Sequence, residues 1–293
     1  MSETTASLQR KINTAEDLHS VVHAMKALAA SSVGQYEKSV IALEDYYRII
    51  KLGLRVCLQD TKLLHSNEKN KRSNKPGVAT CIVFGSDQGL VGQFNEELSD
   101  YVLKILSSLP GEHNIWVIGE RMHSQLTEKN ISLNGLFPVP NSVKLIAPLI
   151  KRLLIECGVD QNKGINSSVY VFHNQPQTSS LYVPVFEKLL PLDENWQRDL
   201  IKIHWPSKKI PEPIGDNTLT LRGLIHEYLF IFLFRACAES LASENSSRLS
   251  AMERADHNIK ELLKNLSGKF NQLRQSSIDE ELFDVVSGFE SLN

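Results

Sequence analysis

The chain has 293 residues, enough for one large domain or two smaller ones, and 42% of them are hydrophobic. Its formal net charge of −2 at pH 7 offers no global basic field and so argues against a nucleic-acid partner. The four cysteines, Cys57, Cys81, Cys157 and Cys237, lie scattered in apolar surroundings without a CxxC or Cys/His spacing, which excludes an evident zinc motif and points to reduced core thiols.

The N-terminal MSETTASLQRK lacks a signal-peptide apolar region, so the chain reads as cytosolic. No proline occurs before Pro76, which allows one helix from about Ser7 to Leu64. Ala15, Leu18, Val22, Met25, Ala29, Val33, Tyr36, Val40, Leu43, Tyr47, Ile50, Leu54 and Cys57 step along it by threes and fours. His19 and His23 are four apart on this helix, a spacing compatible with a metal or simply with a solvated face. Ala24, Ala27, Ala29, Ala30, Ser31 and Ser32 form a small-residue patch that suits tight helix packing. The polar stretch His65–Pro76, with Lys69, Lys71, Arg72 and Lys75, reads as a linker or solvated loop.

The middle of the chain alternates strand and helix signals. Val78–Phe84, Ile115–Ile118, Ile131–Phe137, Val169–His173 and Tyr182–Leu190 read as strands. Asn95–Leu109, Gly119–Asn130 and Val143–Cys157 read as helices. This alternation, over 78–213, predicts a mostly parallel, Rossmann-like sheet in three layers. Leu192–Pro213, with Trp196, Trp205, Pro206, Pro211 and Pro213, reads as an irregular return. Between the first strand and first helix of this domain lies Phe84-Gly85-Ser86-Asp87-Gln88-Gly89-Leu90-Val91-Gly92. A glycine-rich turn there is able to cradle a phosphate, yet the spacing is neither GxGxxG nor GxxxxGK[ST] and the loop has no lysine. A tight turn or close contact with another chain explains the glycines equally well.

A last helix is expected over 214–293. Thr218–Leu292 contains no proline and carries a seam of about 3.5-residue period through Leu221, Leu224, Tyr228, Ile231, Ala238, Ala242, Leu249, Met252, Ile259, Leu263, Leu266, Phe270 and Leu273. Its most apolar run, Tyr228–Phe234, is too short to span a bilayer. Ala242, Ser243, Ser246, Ser247, Ser250, Ala251 and Ala255 make a second small-residue patch, expected to face the first. At a 1.5 Å rise this helix would measure on the order of 110 Å, too long for a domain of this size to bury. The simplest arrangement packs it antiparallel on the first helix. If their inner ends meet near Cys57 and Leu219, paired positions sum to about 276, placing Met25 near Ala251 and Leu8 near Gly268. Everything after Gly268 then lacks a partner within the chain. Leu282, Val285, Phe289 and Leu292 repeat there in a shifted phase, and Glu280, Glu281 and Asp284 form an acidic face. No local motif suggests a Ser/His/Asp or Cys/His catalytic set. Two readings from the residues alone remain open beside a long helix that needs a sleeve. They are a nucleotide-dependent enzyme built on the middle domain and a coiled-coil adaptor.

Three stretches resemble the γ subunit family of F-type ATP synthases. Leu8–Ser32, with AMKALAAS at its core, resembles that family's N-terminal helix; SDQGLVGQFN (Ser86–Asn95) is similar to its signature loop SDRGLCGxFN. Leu241–Leu292, with ASENSSRLSAMERADHNIKELL and FNQLRQSSIDEELFDVVSG, resembles the C-terminal helix almost position by position. Departures are Gln88 for the usual arginine, Val91 for cysteine, Asp279 for threonine, Asp284 for glutamate, and Ser32, Val33 and Gly34 where a Lys or Arg usually follows the Ala-Ala-Ser. The resemblance implies a non-catalytic rotor: an antiparallel coiled coil carrying a Rossmann-like domain, turning inside a hexamer of α and β subunits. It implies the α, β and ε subunits and the membrane c-ring as partners, coupling ATP turnover to proton or sodium flow, with no cofactor of its own. It places the chain on the cytoplasmic face of the cell membrane as a peripheral protein. Carried over by motif, Met25 and Lys26 would face a moving loop of β, and Ser86, Asp87, Gln88 and Gly89 would contact β. Glu244 and Arg248 would exchange polar contacts with β, and Gln275, Glu281 and Asp284 would mark the tail's contacts near the hexamer's collar.

Overall fold

The structure, a computed structural model, describes residues 4–60, 78–158, 168–177, 181–192, 194–209, 211–212 and 214–290. The basic stretch expected as a linker lies outside the described residues. The chain forms two compact units, Met1–Ala30 with Arg248–Asn293, and Ser31–Ser247. Helices α1 (Thr5–Asp60) and α6 (Asn217–Glu290) contribute residues to both.

The Ser31–Ser247 unit is built on strand β1 (Ala79–Phe84), buried at all six positions. A strand apolar on both faces has to be covered on both sides. Its neighbours are β2 (His113–Ile118), β3 (Gly135–Phe137), β4 (Ser168–Gln175) and β5 (Val183–Leu190), in the order β3-β2-β1-β4-β5. All pairs are parallel except β4 with β5, which is antiparallel. Side chains alternate across the sheet. Cys81 and Val83 point to a cluster with Leu98 and Val102 of α2 (Phe94–Leu106) and Met122 and Leu126 of α3 (Glu120–Glu128). Ile82 and Phe84 point the other way, to Ile146, Ile150 and Leu153 of α4 (Val143–Glu156) and to Leu54 of α1 and Leu233 of α6. The expected three layers result. The free thiols of Cys57, Cys81 and Cys237 are buried, and burial pushes Cys81 up to about 12.

Two expectations for the middle are corrected. Leu192–Pro213 is not wholly irregular, because α5 (Glu194–Lys202) lies within it. Its Leu200 is buried, and Trp196 stacks edge-on against Tyr228 and donates its indole N–H to the Tyr228 hydroxyl at 2.9 Å. The strand expected over Ile131–Phe137 pairs only at Gly135–Phe137. Asn130 turns left-handed at φ 60°, and Asn134 ties both its backbone N–H and its side-chain oxygen to Ile115. Ile131 and Leu133 pack on the α2–α3 side instead.

Within this unit α1 and α6 run antiparallel. Tyr47 stacks on Tyr228 at 5.7 Å, the Tyr46 hydroxyl donates to Glu227, and Asn217 Nδ2 donates to the Cys57 carbonyl at 3.1 Å. Within the other unit the helices are also antiparallel. Leu8 and Ile12 bury against Leu266, His19 Nε2 lies 2.9 Å from Asp256, and Lys26 lies 3.5 Å from Glu253. These pairs fall within about three residues of the expected register.

The helical phase is less simple than the seam suggests. Leu18, assigned to it, is 53% exposed, and its neighbour His19 turns inward to Asp256. Phe270 and Leu273 pack on the Leu8 cluster, so the unpaired stretch does not begin at Gly268. Helical side chains lean toward the helix N-terminus and cover the turn before their own Cα. That lean returns both residues to α1.

Candidate functional site

The loop after β1 is held from within. The Gly85 N–H donates to the Ile118 carbonyl at 2.8 Å, and a Cβ on Gly85 would stand 2.2 Å from Met122 Cβ. Ser86 is fully buried: its N–H donates to Asn95 Oδ1, its hydroxyl donates to the Gln88 carbonyl, and Asn95 Nδ2 donates to that hydroxyl at 2.7 Å. The Asp87 carboxylate accepts the N–H groups of Glu120 and Val139, each at 3.0 Å. Gln88, Gly89 and Leu90 form the outer tip, where Leu90 is 61% exposed at a left-handed φ of 61°. Two of the four loop residues singled out in the sequence therefore build the loop, and the other two are displayed by it.

This geometry bears on the phosphate reading. A helix N-terminus attracts anions through its free N–H groups. At α3 that place is taken by the protein's own Asp87 carboxylate, while Arg121 N–H donates to the Ser86 carbonyl.

Ligands of open α/β sheets bind outside the carboxyl ends of the strands, where strand order reverses. Here that point lies between β1 and β4, and α6 crosses it. Ser240 donates its hydroxyl to the Phe84 carbonyl at the end of β1 at 3.1 Å. Ser243 donates to Asn174 O of β4 at 3.0 Å, and Ser247 donates to Val91 O in the loop at 2.5 Å. Two serines of the small-residue patch, Ser243 and Ser247, together with Ser240, thus serve the sheet and its loop. For Ser243 and Ser247 this corrects the expectation that the patch faces the first helix. Serines at i, i+3 and i+7 on one helix beside Ala238, Leu241 and Ala242 were the available signal, because buried hydroxyls need acceptors.

A second polar cluster was missed. His173, 1% exposed on β4, has Nε2 at 3.0 Å from Glu239 Oε2. Arg235 Nε donates to the other carboxylate oxygen at 2.6 Å, and Gln175 Nε2 donates to Oε2 at 3.2 Å. Burial by itself would raise the Glu239 carboxyl, but the hydrogen bonds from His173 and Arg235 outweigh it and hold it below the usual carboxylate range. A depressed carboxyl stabilises the fold fully above its ordinary value, and that stability is lost as pH falls through the lower folded value. Glu239→Gln is therefore expected to cost about 1–3 kcal/mol at pH 7, and less as pH drops below about 4.5. Urea titrations at pH 7 and pH 3.5 check this; an equal cost at both would contradict it.

The remaining residues singled out in the sequence lie apart. Met25 and Lys26 are half-buried on α1, and Lys26 pairs with Glu253. Glu244 is 6% exposed, and its charge adds to burial in raising the Tyr36 hydroxyl. Arg248 is half-buried, whereas Gln275, Glu281 and Asp284 are exposed on α6. Around them Ile278, Leu282, Phe283, Val285 and Val286 are 45% to 71% exposed. Leu18, Val21 and Leu28 add an exposed apolar stripe on α1. His19 pairs with Asp256 and His23 is exposed; among the described residues no group of three potential ligands is placed to hold a metal ion. No helix among the described residues is long and apolar enough to cross a membrane.

Proteins called ATP synthase gamma chain align along nearly the full length. That of Ehrlichia ruminantium (strain Gardel) is 26% identical over 287 residues, covering 96% of each chain. That of Nautilia profundicola is 26% identical over 307 residues, covering 99% of each. Among solved structures, a chain of the Euglena gracilis mitochondrial ATP synthase OSCP/F1/c-ring matches with a TM-score of 0.60 at 14% identity, over 98% of this chain and 94% of that one. A chain of the Tetrahymena thermophila central stalk/c-ring matches with a TM-score of 0.54 at 20% identity, over 80% of this chain and 99% of that one. These structures share the fold: long terminal helices with a sheet domain between them. The ATP synthase family model matches residues 4–292, and the chain belongs to that family.

Proposed function

We infer that the chain is the central-stalk γ subunit of an F-type ATP synthase. In that reading it couples ATP synthesis or hydrolysis in a hexamer of α and β subunits to proton or sodium transport through a membrane ring. The observation that carries the reading is how α6 is used. One stretch of it, Ser240–Ser247, fills the crevice where an α/β sheet would otherwise take a ligand. Its far end is bare, with Leu282, Phe283, Val285 and Val286 exposed. A domain closed to substrates and a helix in need of a sleeve suit a rotor. They do not suit a nucleotide enzyme.

The chain then performs no chemistry, needs no cofactor, and divides functionally into a shaft helix (1–64), a linker (65–77), an α/β domain (78–213) and a second shaft helix (214–293). Met25, Lys26, Arg248 and Glu244 belong to the section that meets β. Gln88 and Gly89, with Leu90 beside them, form the loop's contact with β, positioned by Ser86 and Asp87. Gln275, Glu281 and Asp284 lie on the tail enclosed by α and β. The ε subunit and the c-ring are its further partners, and the complex holds the chain at the cytoplasmic face of the membrane.

Purification of the native complex through this subunit, followed by mass measurement, tests the reading. One copy of the chain per three α and three β subunits is expected. Calorimetric titration of the isolated chain with ATP and NAD should give no binding. Micromolar binding would favour an enzyme, and a homodimer free of α and β would favour an adaptor.

A further inference from the structure

Two residues other than glycine take a positive φ among the described residues, Asn130 at 60° and Leu90 at 61°. Asparagine tolerates that left-handed region, because its short side chain bonds locally, whereas a leucine there crowds its Cβ against the following carbonyl. Glycine stands one position earlier, at Gly89, outside the left-handed region and with nothing within 4 Å of an added Cβ. The loop therefore leaves out a side chain where one would fit and carries a leucine where glycine would be free of strain. Nothing in its own chain compensates Leu90: it is 61% exposed and joins no apolar cluster among the described residues. The backbone on both sides of it is held. Before it, the Ser86 hydroxyl donates to the Gln88 carbonyl at 2.8 Å. After it, Val91 is 2% exposed, and its carbonyl accepts the Ser247 hydroxyl of α6 at 2.5 Å and the Phe94 N–H at 3.3 Å. Strain of this kind persists only where the surroundings over-determine it, and it clusters at functional sites.

We propose that Leu90 is a preorganised apolar anchor that enters an apolar recess on β, the subunit this loop meets in the rotor reading on which this rests. The chemistry of the tip selects the recess. Gln88, Gly89 and Leu90 carry no charge, and the loop's one acid, Asp87, already accepts the N–H groups of Glu120 and Val139. Leu90 is thus the one displayed side chain of the three with a large apolar area to bury. The exposed charges nearest in sequence, Glu96 and Glu97, stand in the first turn of α2 and suit the polar rim of such a contact. Because the backbone is fixed before contact, binding has to order little beyond one side chain. The bond from Ser247 also ties the tip to α6, so a load on Leu90 passes to the long helix.

Competition between full-length chains for limiting α and β subunits tests this. Wild type and Leu90→Asn, differently labelled, are mixed in equal amounts, and the assembled complex is isolated at equilibrium. Asparagine keeps the left-handed backbone and removes the apolar side chain. Burying one leucine corresponds to roughly tenfold to a hundredfold in affinity, so the wild type is expected in the complex in at least about tenfold excess. Leu90→Met, which keeps an apolar side chain of similar volume, should compete almost evenly with the wild type. The free Leu90→Asn chain should unfold at the same urea concentration as the wild type or a higher one, because strain is relieved and no packing is lost. A lower midpoint would make Leu90 a residue that holds the fold, and overturns the anchor. Equal incorporation of Leu90→Asn overturns the anchor and leaves the rotor reading standing. A wild-type chain that does not assemble with α and β overturns both.

Discussion

Gly119→Ala is expected to destabilise the α/β unit by about 4 kcal/mol. Gly119 sits at φ 111°, ψ 122°, immediately before α3. That backbone region is open to glycine almost alone, and an L-residue there costs about 1–3 kcal/mol. Space is also lacking: a Cβ would lie 2.6 Å from the Ser86 carbonyl oxygen and 2.8 Å from its nitrogen. Backbone atoms cannot swing aside as a side-chain end would, so overpacking adds about 1–3 kcal/mol more. Moving Ser86 would loosen its bonds to Asn95 and Gln88 and shift the displayed tip. Gly89→Ala is the control, since nothing lies within 4 Å of its added Cβ and a surface change of this kind stays within about 0.5 kcal/mol. Urea denaturation of both full-length variants gives the comparison. A cost below about 1 kcal/mol for Gly119→Ala would refute the assigned turn.

The double variant Leu282→Glu, Val285→Glu is expected to leave the isolated chain unchanged and to weaken its assembly by about 3–6 kcal/mol. In the free chain both side chains are exposed, at 58% and 61%, so polar replacements remove no packing. Enclosed by a hexamer, each apolar side chain is worth about 1.5–3 kcal/mol of burial. Buried glutamates without partners would add a desolvation cost. The isolated variant should match the wild type in its thermal midpoint and circular dichroism. Its yield of complex with α and β, measured by size exclusion, should collapse. Normal assembly of the variant would mean that this face of α6 is not enclosed.

The two predictions draw on different depths of the sequence. The tail's apolar residues were legible at once, because helical period and lack of proline place them on α6. The antiparallel register was also legible, since two helices with equal rise leave one free parameter, where their ends meet. The parallel sheet followed from strand–helix alternation, and four of the five strands formed close to where apolar runs stood between turn residues, while β3 kept only the end of its run. The missed helix α5 is short and flanked by prolines, and its burial depends on Tyr228, far along the chain.

The sequence by itself determined the two terminal helices and their pairing, most of the sheet's strands and helices, and the family. Each of these depends on local periodicity or on motifs contiguous in the chain. Only the tertiary structure decided what the polar residues do. Ser240, Ser243 and Ser247 find carbonyls 69 to 156 residues away, and Glu239 finds His173 across 66. Asp87 turned from a displayed contact into the cap of α3 for the same reason. A buried hydroxyl or carboxylate must be satisfied, but the partner that satisfies it is set by how sheet and helices meet in space. Side-chain spacing along the chain does not carry that information.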